Sequence, residues 1–421
     1  MSMPKSPPIL SVPFDITSRI LRLAPGPPSY PTIWSLFQHR VSLAPLALSA
    51  VCTQWRSVAL STPLLWSTLI LDCNSVRSPD ELVALWLQRA GDVALTLHIR
   101  LPVTNVDPDL VVQRLLECAR RWKRVTVQTC GVKFPLDGLR LPLENLESFG
   151  IFHGYTESQE ATEASKIVAP NLRELAIDRV PSQTSTVLPV HQLTALELYG
   201  PFLAPTIEFL RHTPNLETLR ITQVTLDAES PSTHPQCVLL PNLTVFEDGY
   251  LERPTANNVS LLPYLTLPAL VDLRLSFVPV ATDELDRLSN LLTRSGCTLR
   301  VLSIRNTHVA SVRAIQSIFP DLHRLQLYAP AFPPAGAQLD EICERLSNGF
   351  PEMKDLVLVG WGERALPTLA QCALNRWQVC RLQRFAYSWL TLAARERSAE
   401  VLTPLQDAER QGLVLQLDGE I

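Results

Sequence analysis

Catalysis by this chain would need a cluster of nucleophiles, acid–base groups or metal ligands, and such clusters are sparse. Nine cysteines stand at 52, 73, 118, 130, 237, 297, 343, 372 and 380. Their odd count and wide scatter do not form a disulfide framework. None has a second cysteine or a histidine at zinc-ligand spacing. They read as small apolar residues of a reducing compartment. No Walker A loop, Gly-x-Gly-x-x-Gly turn, Gly-x-Ser-x-Gly elbow or His-Glu-x-x-His pair occurs. No catalytic, cofactor-binding or metal-binding residue is therefore assigned, and the chain is not expected to be an enzyme. The basic run Arg120, Arg121, Lys123 and Arg124 has the composition of a phosphate contact. Cations that close a helix also complement its dipole, and that is the simpler reading of the run.

Binding is the class of function that remains, and the whole chain is organised for it. Of 421 residues, 46% are hydrophobic, and the formal net charge is -4. That balance argues against a dedicated nucleic-acid binder. The N-terminus has no long apolar signal segment, and the apolar runs are too short to span a membrane. The expected protein is soluble and cytoplasmic or nuclear, with no nucleic-acid or membrane partner.

One phrase recurs: an apolar residue, two variable positions, then apolar-variable-apolar. A proline often stands two residues before it. It reads Pro170-Asn-Leu-Arg-Glu-Leu-Ala-Ile177, then Pro214-Asn-Leu-Glu-Thr-Leu-Arg-Ile221, and returns with prolines at 268, 320 and 351. Versions without the proline start from Leu146, Leu193 and Leu299, and Pro241-Asn-Leu-Thr-Val-Phe246 is degenerate. The first apolar residues fall at 146, 172, 193, 216, 243, 270, 299, 322 and 353. These steps of about 21 to 31 residues bracket the leucine-rich-repeat period, and L-x-x-L-x-L is its strand segment. Helices are expected between strands, at 206–212, 283–294, 309–319 and 339–348. Further N-terminal, helices at 79–89 and 108–121 lead to strands at 93–99 and 124–127. The asparagine usual after the strand is mostly missing, so an irregular solenoid is expected, with long loops at 153–166 and 227–238. Repeats of this kind bury their apolar faces only by stacking. A capping unit is read near 403–421, with Thr403 as N-cap and Pro404 in the first helical position.

Residues 9–71 are of another kind. Leu48, Val51, Cys52, Trp55, Val58 and Ala59 recur at three- and four-residue steps and mark one apolar helix face. So small a helix group has little core of its own and gains from a partner.

This segment resembles the F-box. The resemblance rests on Val12-Pro13-x-Asp15, Ile20-Leu21, Leu46, Val51-Cys52-x-x-Trp55-Arg56, Ala59 and Pro63-x-Leu65-Trp66. The chain as a whole is similar to the F-box/leucine-rich-repeat proteins of mushroom-forming fungi. Ala59-Leu-Ser-Thr-Pro-Leu-Leu-Trp66, Leu85-Trp-Leu-Gln-Arg-Ala-Gly91 and Arg121-Trp-Lys-Arg124 carry that likeness. The fold expected is α/β, with N-terminal F-box-like helices followed by an irregular leucine-rich-repeat solenoid, a helix-connected horseshoe of parallel strands. The domains are then a disordered 1–8, an F-box-like 9–71 with an insertion near 24–43, and a solenoid over 72–421.

The resemblance implies a substrate-recognition subunit of a Skp/cullin/F-box ubiquitin ligase. A Skp-type adaptor protein, and through it a cullin, would be partners, together with an unknown target. Pro13, Ile16, Ile20, Leu21, Leu46, Val51, Cys52 and Trp55 are the expected adaptor contacts. In the strands, the variable residues beside the last two apolar positions face outward. Glu197, Tyr199, Arg220, Arg274, Arg305, Gln326 and Tyr328 are thus the expected target contacts. The three arginines would suit an acidic or phosphorylated segment. The alternative is a non-catalytic repeat scaffold that is not part of a ligase.

Overall fold

The computed structural model describes residues 13–23, 43–101, 108–129, 134, 142–152, 167–178, 180, 188–226, 236–249, 259–275, 282–305, 307–330, 336–380, 382–388 and 399–417. The chain divides into two compact units, Met1–Tyr199 and Gly200–Ile421.

The first unit opens with helices α1 (Phe14–Leu23), α2 (Ala44–Val51) and α3 (Thr53–Leu60), and a 3-10 turn, Pro63–Trp66. Strand β1 (Thr68–Asp72) follows at once, so the sheet begins ahead of the 71/72 boundary read from the sequence. Then come α4 (Pro79–Ala90), β2 (Leu95–Arg100), α5 (Pro108–Glu117), β3 (Trp122–Gln128), β4 (Ser148–Phe152), β5 (Glu174–Ile177) and β6 (Ala195–Tyr199). These six strands pair in parallel, in chain order.

The second unit contains α6 (Leu203–Arg211), β7 (Thr218–Thr222), β8 (Val238–Leu239), β9 (Val245–Gly249), β10 (Leu265–Thr266) and β11 (Asp272–Leu275). It continues with α7 (Thr282–Ser295), β12 (Val301–Ile304), α8 (Val309–Ile318), β13 (Arg324–Tyr328), α9 (Ala337–Asn348) and β14 (Asp355–Val359). It closes with α10 (Gly362–Cys380), β15 (Arg384–Ser388), α11 (Ala399–Arg410) and β16 (Val414–Gln416). Here the parallel order is β7-β9-β11-β12-β13-β14-β15-β16, while β8 and β10 pair with each other apart from it. Both units are thus repeat-like, solenoid-like parallel α/β arrangements.

Parallel neighbours need a crossover of a dozen or more residues, and the repeat step supplies one. All nine apolar phrases form strands of these ladders. Within a strand, alternate residues point to opposite faces. Leu219 and Ile221 therefore point inward together, as do Leu325 and Leu327; Leu216 and Leu322, just ahead of their strands, are buried with them. Each such side chain contributes about 1.5–3 kcal/mol on burial, so three per repeat outweigh any surface contact.

The missing asparagine after the strand has a counterpart earlier in the phrase. Asn145, Asn171 and Asn242 stand just before the first leucine. Their Nδ2 groups donate to the carbonyls of Arg120 (3.0 Å), Glu144 (2.6 Å) and Pro214 (3.2 Å), each in the repeat before. Longer side chains do the same elsewhere. Gln192 donates to Ala169 and Leu172, and Arg294 to Leu262 and Leu265. Arg376, fully buried on α10, donates to the carbonyls of Leu346 and Ser347 at the end of α9, and to those of Phe350 and Met353. Buried carbonyls must find donors, and in this chain one repeat supplies them to its neighbour.

Two elements differ from expectation. The final helix begins at Ala399, not at Thr403, and takes Pro404 inside. A proline in the sixth helical position forfeits one bond, to the carbonyl of residue 400, so the helix tolerates it near its start. Strand β15 carries Phe385 and Tyr387, with Leu382 just ahead of it, all buried, in the places of the three leucines. The loop at 153–166, residues 24–42 of the insertion near 24–43 and residues 227–235 of the loop at 227–238 lie outside the described residues, while Val238 begins β8.

Candidate protein-interaction surfaces

The first surface lies on the N-terminal helices. Cys52 separates α2 from α3 with an extended backbone, and its Sγ accepts the Trp55 N–H at 3.4 Å as the N-cap of α3. Arg56 Nε reaches back 2.9 Å to the Ser49 carbonyl near the end of α2. The Val-Cys-x-x-Trp-Arg phrase therefore builds a two-helix elbow. Helix α1 packs on α3, and its Ser18 hydroxyl meets Thr62 Oγ1 at 3.2 Å. The turn Pro63–Trp66 fixes this group to the repeats. Trp66 is fully buried, donates Nε1–H to the Ala59 carbonyl at 2.8 Å, and meets Trp86 edge-on at 4.9 Å. The Arg89 guanidinium lies 4.5 Å over the Trp66 ring.

Among the residues these helices leave open are several apolar ones. Ile16 is 45% exposed, Ile20 42% and Val51 60%. Ile16 and Ile20 are one turn apart, on one face of α1. Pro13 is exposed as well, whereas Leu46, Cys52 and Trp55 are half-buried. Leu21 lies in α1, and its side chain is outside the described set. The Trp55 indole N–H has no hydrogen-bond partner among the described residues. Phe14, Leu60 and Leu64 join the exposed apolar set. These three were not singled out from the sequence, because helix periodicity alone does not tell an outer stripe from an inner one.

The second surface is the face of each ladder opposite the inward leucines. In the first unit it is largely closed on itself. Glu197 and Tyr199 lie on this face of β6, yet only 7% and 6% of each is exposed. The Tyr199 hydroxyl donates to the Glu197 carboxylate, and its ring meets Phe152 edge-on at 5.1 Å. Ala176, on the strand between, is small enough for the two rings to meet above it. The pair expected to contact a target is therefore occupied internally. The basic run is also engaged: Arg124 pairs with Glu174, Lys123 with Glu147, and Arg121 Nε donates to the Val93 carbonyl.

In the second unit the three expected arginines come together, around a residue the sequence reading missed. Glu247 on β9 is in register with Arg220 on β7 and with Arg274 on β11. Its carboxylate lies 3.4 Å from Arg220 Nε, 3.9 Å from Arg274 Nη1 and 3.7 Å from Arg305 Nη2. Opposite charges side by side on neighbouring strands stabilise a sheet modestly. Arg274 is further held by Asp272, with Nη2 to Oδ2 at 2.7 Å, and that hydrogen bond holds its pKa above the usual arginine value. Arg305 lies 5.4 Å over the ring of Tyr328, whose hydroxyl accepts from Gln326 at 2.7 Å. Burial raises the Tyr328 pKa, so the phenol stays protonated. Glu247 was visible in principle. Aligning Phe246-Glu247 with Leu219-Arg220 and Leu273-Arg274 puts it between the two arginines.

Between α9 and α10 lies a shallow groove of about 480 Å³, lined by Cys343, Ser347, Cys372 and Asn375 among others. Cys372 and burial hold the Cys343 thiol well above its usual pKa, so it stays protonated and makes a poor nucleophile. Among the described residues there is no group of three or more metal-ligating side chains, and no helix is long and apolar enough to cross a membrane. The sequence matches no protein-family model and no curated protein.

Proposed function

We infer that the chain is the substrate-recognition subunit of a Skp/cullin/F-box ubiquitin ligase. The observation that carries the reading is the exposed apolar set Ile16, Ile20 and Val51 on helices whose other end is locked into the repeats by Trp66. An exposed apolar helix face of that kind suits a docking protein. In this reading the F-box-like helices hold a Skp-type adaptor, and through it a cullin. The leucine-rich-repeat surface holds a target. The mechanism is tethering, because joining both contacts in one chain raises the effective concentration of target at the transfer site to as much as roughly millimolar. No bond-making is asked of this chain. The test is co-expression with a Skp-type adaptor and a cullin, followed by size-exclusion chromatography. Co-elution of all three supports the reading. A folded chain that elutes alone reduces it to a free-standing repeat scaffold.

A further inference from the structure

We propose that the arginine cluster around Glu247 is a site for the phosphoryl group of a phosphorylated protein segment. This deepens the target-holding half of the reading above. It depends only on the repeat surface, not on adaptor capture.

The cluster is built but not saturated. Glu247 is 83% buried by side chain (17% exposed) and draws three guanidinium groups from three strands or strand ends to within 4 Å of one carboxylate. None of the three contacts is a short, aligned hydrogen bond. Arg220 Nε, the nearest at 3.4 Å, counts as a buried donor without a hydrogen-bond partner among the described residues. Only Arg274 is claimed by a well-made pair, with Asp272. Glu247 thus gathers the arginines and, among the described residues, leaves most donors of Arg220 and Arg305 without a hydrogen bond. Each guanidinium has five N–H donors in a planar fork that matches phosphate oxygens.

The charge also fits. Arg324, next along the face, also acts on the Tyr328 phenol and stands in register with Asp355 of β14. Its Nε is likewise a buried donor without a hydrogen-bond partner among the described residues. Four arginines against Glu247 and Asp272 leave a formal excess of two positive charges. Asp355 stands in register with both Arg324 and Arg384, and adding this carboxylate and the Arg384 guanidinium leaves the excess at two. A phosphomonoester carries about -1.5 to -2 at neutral pH and neutralises that excess, whereas one carboxylate meets only half of it.

The site's shape selects a segment over a free ion. The arginines stand on an open sheet face, with side chains 31–49% exposed. Among the described residues nothing there encloses a small anion, while a chain laid along the face carries its own phosphate to the cluster. Arginine clusters recognise phosphorylated segments in this manner. Glu247 then acts as a resident counter-ion that the incoming phosphate partly displaces.

That last point gives a test that a purely structural ion-pair cluster does not mimic. The full chain is titrated by fluorescence anisotropy against a degenerate phosphoserine peptide pool and against the same pool without phosphate. Glu247→Gln and Arg305→Gln are measured beside wild type, with their unfolding midpoints as a folding control. The expected result is at least about a tenfold preference for the phosphorylated pool, competed by inorganic phosphate. Arg305→Gln should lower the affinity about tenfold, and Glu247→Gln should raise it several-fold. Equal binding of the two pools overturns the proposal, as does an unchanged or weakened affinity in folded Glu247→Gln. Capture of inorganic phosphate alone overturns the assignment to a protein segment. The adaptor is absent from the assay, so neither result bears on the ligase reading.

Discussion

Lowering the pH from 7 to 5 should weaken the first unit through one side chain, His98. The imidazole stands on β2 between Ile70 of β1 and Thr126 of β3. It is buried, and its Nδ1 has no hydrogen-bond partner among the described residues. Burial first, and the Arg124 guanidinium second, push its pKa down from 6.5 to about 4. The nearby carboxylates are already engaged, Asp72 of β1 with Arg100 at 3.6 Å and Glu174 of β5 with Arg124 of β3 at 3.1 Å. Neither is free to receive an imidazolium. Folded protein therefore holds His98 neutral, whereas the unfolded chain takes up the proton near pH 6.5. The stability this provides is full above pH 6.5 and is lost as the pH falls toward 4. One pKa unit corresponds to about 1.4 kcal/mol, and about one and a half units lie between 6.5 and 5. The loss at pH 5 is then about 2 kcal/mol. Urea unfolding at pH 7, 6 and 5, followed by tryptophan fluorescence, measures it. His98→Leu removes the titration and keeps an apolar side chain in register with Ile70. Its loss between pH 7 and 5 should be smaller than that of wild type by about 2 kcal/mol. An identical pH dependence in the two proteins would refute the argument.

Three further outcomes follow from the packing. Arg376→Met should cost about 3 kcal/mol in urea unfolding, because the carbonyls of Leu346, Ser347, Phe350 and Met353 lose a charged donor inside the protein. Trp66→Ala should cost about 3–5 kcal/mol and free the N-terminal helices, which limited proteolysis near residue 62 would reveal. Gln223→Gly should stabilise by about 0.5–1 kcal/mol in the same assay. Gln223 follows β7 with φ +55°, at the strand-end position where Gly200 follows β6 and Gly360 follows β14 with similar positive φ.

The ladder was legible because its signal is a repeated burial requirement. A side chain such as Leu219 must point inward in every copy, so the same letters recur at the same spacing. The strand β15 escaped notice because Phe385 and Tyr387 meet that requirement with different letters. The ties between repeats were less visible. Asn145, Asn171 and Asn242 recur in phase, but Gln192, Arg294 and Arg376 reach equivalent carbonyls from other positions and with other lengths of side chain. The candidate surfaces were legible only in part. Arg220, Arg274 and Arg305 could be placed on one face from strand alternation. That they converge depends on Glu247, which sits in the most degenerate phrase of the series. Glu197 and Tyr199 obeyed the same alternation, yet Ala176 beside them allowed two rings to close over the strand and use them up.

The most direct test of the account is the affinity of the purified full chain for a Skp-type adaptor, measured by isothermal titration. Wild type is compared with Ile20→Asp/Val51→Asp, a pair that charges the exposed apolar face without touching the buried Trp66 anchor. The account predicts saturable one-to-one binding by wild type and a loss of at least about a hundredfold in the folded variant, since an unpaired carboxylate buried at an interface costs several kcal/mol. Adaptor binding that is absent from folded wild type, or equal in the two proteins, would contradict it.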